Sequence, residues 1–309
     1  MNRGTILLAV VAVAASIALA VGSGAARATY PGSNNGRLTF AMTVGGNVDV
    51  YSALPNGNDV RRLTDDASFE ACSGYSPDGK NIAYCSAQSG LFEIWAMKQN
   101  GTKKHQVTHL NARSLFPDYS PDGLRIAFVS SGVAGDPHQE IYVINADGSG
   151  LEQLTADAGD NAYPAWSPDG TKIAFTSTRT GIEQVWVMNA DGSGQTQLTF
   201  DLFRHDQLPD WSPDGSKIAY EDDAAGNGDI YVMNADGSDQ RDVSNDPSVE
   251  FGAAWSPDGS QIAFLSARTG TRLVYLMNAD GSNQHVVTGG TNTQFVPGWQ
   301  ARGLDSNDD

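Results

Sequence analysis

The chain has 309 residues, with 36 acidic and 19 basic side chains and a formal net charge of −17 at neutral pH. So acidic a surface repels phosphate backbones and anionic lipid, which argues against nucleic acid and anionic membranes as partners. Basic proteins and divalent cations remain compatible with it.

Residues 1–28 read as a secretory leader. Arg3 precedes an apolar run from Ile6 to Val21, and Ala26, Arg27 and Ala28 form a small-x-small cleavage pattern. The run is short for a spanning helix. No cysteine follows it closely, so a lipid anchor is not expected. Cleavage after Ala28 would leave a chain of net charge −19 with no further membrane insertion, secreted or periplasmic, and expected to be a monomer. Residues 29–36 read as a lead-in, 37–300 as a repeat array and 301–309 as an acidic tail.

The array is marked by a phrase seen at Trp166, Ser167, Pro168, Asp169 and Gly170. Its copies begin at Tyr75, Tyr119, Trp211 and Trp255, with successive spacings of 44, 47, 45 and 44 residues. A period in the mid-forties indicates a radial array in which each unit is one small sheet. Within a unit, the first strand ends in the aromatic residue. Ser-Pro-Asp-Gly then reverses the chain, because proline pre-sets φ, aspartate bonds nearby backbone and glycine tolerates a left-handed conformation.

The second strand alternates, as in Ile173 and Phe175, a pair repeated at Leu38/Phe40, Ile82/Tyr84, Ile126/Phe128, Ile218/Tyr220 and Ile262/Phe264. A third strand carries an aromatic in every unit: Tyr51, Trp95, Tyr142, Trp186, Tyr231 and Tyr275. These columns read as core between units, not as a sugar-stacking platform. An Asn-Ala-Asp-Gly turn, at Asn145, Asn189, Asn234 and Asn278, leads to a fourth strand ending in Thr or Ser.

The two ends complete each other. The first unit lacks its aromatic strand, and Phe295 to Trp299 supply one with nothing after it. The fold expected is therefore all-β: a six-bladed β-propeller of four antiparallel strands per blade, closed by pairing of the C-terminal strand with the N-terminal blade.

The phrases Pro164-Ala-Trp-Ser-Pro-Asp-Gly, Val185-Trp-Val-Met-Asn-Ala-Asp-Gly and Gln197-Leu-Thr resemble the repeats of TolB-like β-propellers, across nearly all the chain after the leader. The resemblance is to the propeller alone, since TolB carries a further α/β domain ahead of it. It implies a protein-binding role in the envelope or outside the cell.

Chemistry has few anchors. Aspartates repeated in equivalent turns serve the turn, and the Asn-Ala-Asp-Gly phrase lacks the spacing and the bidentate acid of a calcium loop. Five residues before each first-strand aromatic stand Glu70, Ser114, Asn161, Asp206, Glu250 and Gln294, all polar. First strands line a propeller's channel, so these are expected to ring one mouth, either as a hydrated rim or, through Glu70, Asp206 and Glu250, as oxygen ligands for calcium. His205, Asp206 and Glu250 are the candidates for a channel-mouth hydrolase or lyase acting on a glycan or small molecule with a divalent cation. The other histidines, His105, His109, His138 and His285, show no metal-binding spacing.

No Gly-x-Ser-x-Gly elbow or phosphate-cradling loop is present. Cys72 and Cys85 fall in one hairpin, and in an oxidising compartment a disulfide between them is expected. The leading expectation is a non-enzymatic scaffold presenting its variable loops, Ser131 to Gln139 and Asp222 to Gly228, to a protein partner.

Overall fold

In a computed structural model, residues 34–135, 137–224 and 227–302 are described, and the expected secretory leader (residues 1–28) and most of the expected acidic tail lie outside them. The described residues form six four-stranded antiparallel sheets and a single short 3-10 turn at Val133–Gly135. The six-bladed propeller is therefore as expected.

Blade one contains β1 (Asn34–Val44), β2 (Asn47–Ala53) and β3 (Arg61–Arg62). Blade two is β4 (Glu70–Tyr75), β5 (Asn81–Ser86), β6 (Glu93–Lys98) and β7 (His105–Gln106). Blade three is β8 (Arg113–Tyr119), β9 (Arg125–Ser131), β10 (Gln139–Asn145) and β11 (Glu152–Gln153). Blade four is β12 (Asn161–Trp166), β13 (Lys172–Ser177), β14 (Gln184–Asn189) and β15 (Thr196–Gln197). Blade five is β16 (Arg204–Trp211), β17 (Lys217–Ala224), β18 (Asn227–Asn234) and β19 (Arg241–Asp242). Blade six is β20 (Glu250–Trp255), β21 (Gln261–Ser266), β22 (Leu273–Asn278) and β23 (His285–Val286). The last strand, β24 (Gln294–Arg302), pairs antiparallel with β1 and gives blade one its inner strand.

The alternating second strands bury one aromatic per blade. Phe40, Tyr84, Phe128, Phe175, Tyr220 and Phe264 are each 0–1% exposed. Four of them meet the third-strand aromatic of their own sheet, with ring centroids of Phe40–Tyr51 at 6.2 Å and Phe128–Tyr142, Tyr220–Tyr231 and Phe264–Tyr275 at 5.7–5.8 Å. Burying each such ring stabilises the fold by roughly 1.5–3 kcal/mol. These columns are core, as read from the sequence.

Both repeated turns are self-contained. In each Ser-Pro-Asp-Gly copy the serine hydroxyl donates to the aspartate at 2.6–2.7 Å, as from Ser167 to Asp169. The same serine oxygen accepts a backbone N–H from across the turn, as from Lys172 at 2.9 Å. The serine hydroxyl, with backbone N–H groups, holds the Asp122 and Asp169 carboxyls below the usual carboxylate range.

The turns also touch between blades. A first side-chain carbon added at Gly259 would sit 3.1 Å from Pro213 of the preceding turn, and one at Gly215 would sit 3.4 Å from Pro168. The ring of turns is thus packed glycine against proline. In the Asn-Ala-Asp-Gly turns, the same construction at Gly192 and Gly237 meets the Leu154 and Leu198 carbonyls of the preceding blade at 2.7 Å.

Side chains of β24 tie blade one to both of its neighbours. The Trp299 indole N–H donates to the Ala254 carbonyl at 3.1 Å. The Gln300 side chain donates to the Gly79 carbonyl at 2.9 Å and accepts the Arg37 N–H at 3.1 Å. No sheet edge is left facing the gap where the two ends of the chain meet.

Because strands alternate direction, two kinds of connection leave from one rim: second strand to third, and fourth strand to the next blade. The two repeated turns leave from the other. We call these the loop face and the turn face.

Candidate functional site

The six inner strands share a feature absent from the sequence reading. Each has a bulge, with register shifts at Ala71/Gly74, Leu115/Asp118, Ala162/Ala165, Gln207/Asp210 and Phe251/Ala254, and a matching shift between β24 and β1. The bulged residues Cys72, Phe116, Tyr163 and Leu208 have φ of 53–59°, and Gly252 has 67°. Left-handed backbone at bulky residues is held only where surrounding contacts enforce it. Here neighbouring bulges meet: the Phe116 and Tyr163 rings are 4.7 Å apart edge to face, and a side chain at Gly252 would strike Val296. Cys72, Phe116, Leu208 and Val296 are 0–6% exposed. Apolar bulge residues therefore pack tightly along the inner ring.

The six polar residues do not ring an open mouth. Glu70, Ser114, Asn161, Asp206, Glu250 and Gln294 are each 0–1% exposed and sit at the seams between blades. The backbone N–H groups of Ser114, Asp206 and Gln294 donate to the Phe92, Glu183 and Arg272 carbonyls of the preceding blade at 2.7–3.0 Å. Asn161 donates to Glu140 of the preceding blade at 2.9 Å, and Gln294 accepts the N–H of Val274 at 2.9 Å. Within their own blades, Ser114 meets Ser130 at 3.1 Å, Glu70 accepts from Ser86 at 3.2 Å and Glu250 is ion-paired with Arg268.

The seams explain the Thr or Ser that stands two residues after every fourth strand. Its hydroxyl accepts a third-strand N–H in five blades: Val50 to Thr64, Ile94 to Thr108, Ile141 to Thr155, Val185 to Thr199 and Ile230 to Ser244, all at 2.8–3.0 Å. The hydroxyl proton then goes to a buried acid or amide. Thr108 donates to Glu93 and Thr155 to Glu140, both at 2.5 Å, while Thr288 donates to Gln294. Glu70 and Asp206 occupy this acceptor position for Thr64 and Thr199.

Burial makes these acids weak. Desolvation pushes Glu70 up to about 7, with Thr64 offsetting part of the effect. It pushes Asp206 up to about 7 as well, with Thr199 offsetting part of the effect. Burial also lifts Glu221 to about 8 and Asp229 to about 6.

The site expectations change accordingly. Glu70, Asp206 and Glu250 lie on blades two, five and six, each engaged in its own seam, and no group of three His, Cys, Asp or Glu among the described residues converges to hold a metal. The shared calcium site is therefore not formed. His205, Asp206 and Glu250 do not come together either. Successive strand residues point to opposite faces, so the half-exposed His205 pairs with Glu183 while Asp206 turns inward.

Cys72 and Cys85 are buried free thiols. Burial, then the Cys72 thiol beside it, pushes the Cys85 thiol well above its usual value. The bridge expected from sequence is not present in this structure, although the two thiols are neighbours.

What stands open lies on the loop face. A cleft of about 380 Å³ at blade four is lined by Ile182, Gln197, Phe200, Asp201 and Leu202, and one of about 280 Å³ at blade two by Leu91, Glu93, Gln106, His109 and Asn111. Both lie where the loop between second and third strands meets the loop leaving the fourth. Phe200, Leu202 and Phe203 are 70%, 79% and 89% exposed, the most exposed large apolar residues among those described. Both variable loops, 131–139 and 222–228, open on this same face. Phe200 to Phe203 are not among the site residues expected from sequence. The available signal was a departure from the polar composition of the five equivalent loops.

The fold recurs in proteins of different kinds. TolB from Acinetobacter baumannii superposes with a TM-score of 0.75 at 22% identity, over 88% of this chain and 68% of that one. Hydrazine synthase from Kuenenia stuttgartiensis gives 0.72 at 16% identity, over 88% of this chain and 47% of that one. A chain of the nidogen–laminin complex gives 0.68 at 13%, over 85% and 98%. Identities this low establish the fold and leave function to the site. The sequence itself matches the TolB beta propeller domain over residues 4–132, 104–206 and 201–305, and the chain belongs to that family.

Proposed function

We propose that this protein is an exported, non-enzymatic binding scaffold: a rigid ring that presents its loop face to a protein of the cell envelope or extracellular space. The observation that carries this reading is the separation of polar chemistry from accessible surface. The inner-strand acids are consumed in seams between blades, while the clefts, the unequal loops and the exposed apolar side chains share one face. Binding surfaces are commonly variable loops on a rigid frame. The leader-like residues 1–28 and the family resemblance support export to the envelope or beyond. The alternative, a channel-mouth hydrolase or lyase, lacks support from the geometry of His205, Asp206 and Glu250.

Affinity capture from an envelope extract, with and without chelator, tests the proposal. The expected result is retention of a protein partner that survives chelation and weakens when the 131–139 loop is shortened. Turnover of a glycan with no partner retained would overturn it.

A further inference from the structure

We propose that the loop Phe200–Phe203, with the cleft beside it, is a docking site for a cationic protein segment that carries apolar side chains. The inference rests on the scaffold reading and names the partner chemistry.

In the loops that leave blades one, three and five, an aspartate two residues after the Thr or Ser closes a tight local turn. Asp66 accepts the Ser68 N–H at 3.1 Å, Asp157 that of Gly159 at 3.0 Å and Asp246 that of Ser248 at 2.9 Å. Asp201 holds the same position in blade four, yet it makes no hydrogen bond or ion pair among the described residues. The loop instead extends Phe200, Leu202 and Phe203 into solvent. Six blades share one scaffold, so a loop that abandons the common turn and exposes three large apolar residues is not required by the fold.

Charge then selects the occupant. The two arginines flanking the loop are already paired, Arg179 with Asp157 at 2.7 Å and Arg204 with Asp222 at 3.0 Å. Asp201 is exposed and, among the described residues, unpaired, Glu183 on the adjoining loop is engaged by His205, and Asp223 stands near the end of β17. On a chain of net charge −17, this surface repels an anionic bilayer and a second copy of itself. A cationic segment is attracted. Its apolar side chain would fill the cleft of about 380 Å³ against Ile182, Phe200 and Leu202, while a Lys or Arg beside it meets Asp201. Buried apolar anchors next to a complementary charge are the usual form of an interface hot spot.

The test uses the full chain and two labelled probes, a short peptide of alternating Lys and Leu and its Glu-Leu counterpart, read by fluorescence anisotropy. The wild type is expected to bind the Lys-Leu peptide and to release it as ionic strength rises. The triple variant Phe200→Ser, Leu202→Ser, Phe203→Ser should lose about tenfold in affinity or more, with an unchanged melting temperature confirming that the ring is intact. Asp201→Lys should weaken the Lys-Leu peptide and strengthen the Glu-Leu one.

Equal binding by wild type and triple variant overturns the proposal, as does equal uptake of both peptides. Sedimentation with phosphatidylglycerol vesicles through this loop would assign it to a membrane, and self-association relieved by the triple variant would assign it to a second copy. Either result also overturns the proposal. The two readings fail separately. If the triple variant still retains the envelope partner that the wild type captures, the scaffold reading stands and this site falls. If no envelope protein is captured while the peptide binds through the loop, this site stands and the scaffold reading falls.

Discussion

A buried carboxylate that receives three hydrogen bonds is the smallest unit on which this ring depends. Glu93 accepts the Thr108 hydroxyl at 2.5 Å and the Leu110 and Asn111 N–H groups at 2.9 Å, with 3% of its surface exposed. Glu93→Ala leaves three donors without a partner, each costing about 1–3 kcal/mol. Urea unfolding should show a large fall in midpoint for Glu93→Ala and a smaller one for Glu93→Gln, which keeps one acceptor. Equal midpoints for both variants and wild type would show that the seam contributes nothing.

The seam acids also set a pH dependence. Glu70 and Asp206 are raised to about 7, Glu221 to about 8 and Asp229 to about 6, against unfolded values near 4. A carboxyl whose folded pKa is raised contributes stability that is fully present below its unfolded value and is lost as pH rises through its folded value. The stability attributable to these groups should therefore decline between about pH 5 and pH 8. The turn aspartates Asp122 and Asp169 act in the opposite sense, because their lowered values remove stability as pH falls below about 4. Thermal unfolding should be most stable in mildly acidic buffer, and Asp206→Asn should flatten the decline above pH 5. A melting temperature that rises steadily from pH 5 to pH 8 would contradict the assignment.

At the scale of the element, the turns behave as their repetition implied and the inner strands do not. Gly259 has φ of 72°, and an added side chain would lie 3.1 Å from Pro213. Gly259→Ala should therefore destabilise by about 1–3 kcal/mol, read as a lower urea midpoint. No change would mean that the glycine–proline contacts between turns are incidental.

The aromatic columns, the turns and the closing strand were legible because each recurs at one register in sheet after sheet. The bulges are not evident from alternation alone, although Pro117, Pro164, Pro209 and Pro297 recur two residues before the aromatic, and proline within a strand is confined to edges and bulges. A regular inner strand suggested a polar ring at the mouth, whereas the bulged strand turns Glu70, Asp206 and Glu250 into the seams. The partner of the fourth-strand threonine was hidden for a different reason. It comes from the third strand of the same blade in some units (Glu93, Glu140) and from the next blade in others (Gln294), so no single column of residues shows it.

At the scale of the whole molecule, the ring is closed by its ends. β24 supplies the inner strand of blade one, and Trp299 and Gln300 bond to blades six and two. Removing residues 294–309 should expose the edge of β1 and replace cooperative unfolding with a broad transition and aggregation, visible by calorimetry and light scattering. A sharp transition at the wild-type temperature would show that the ring does not need its closure. Closure leaves one rigid frame with two unlike faces: a turn face tied glycine to proline, and a loop face holding both clefts and the exposed Phe200, Leu202 and Phe203. Hydrogen–deuterium exchange of the full chain, alone and with the partner retained in affinity capture, tests this division most directly. The prediction is protection confined to the loop face, centred on residues 178–183 and 198–205, with the Ser-Pro-Asp-Gly turns unchanged. Protection of those turns, with the loop face unaffected, would contradict it.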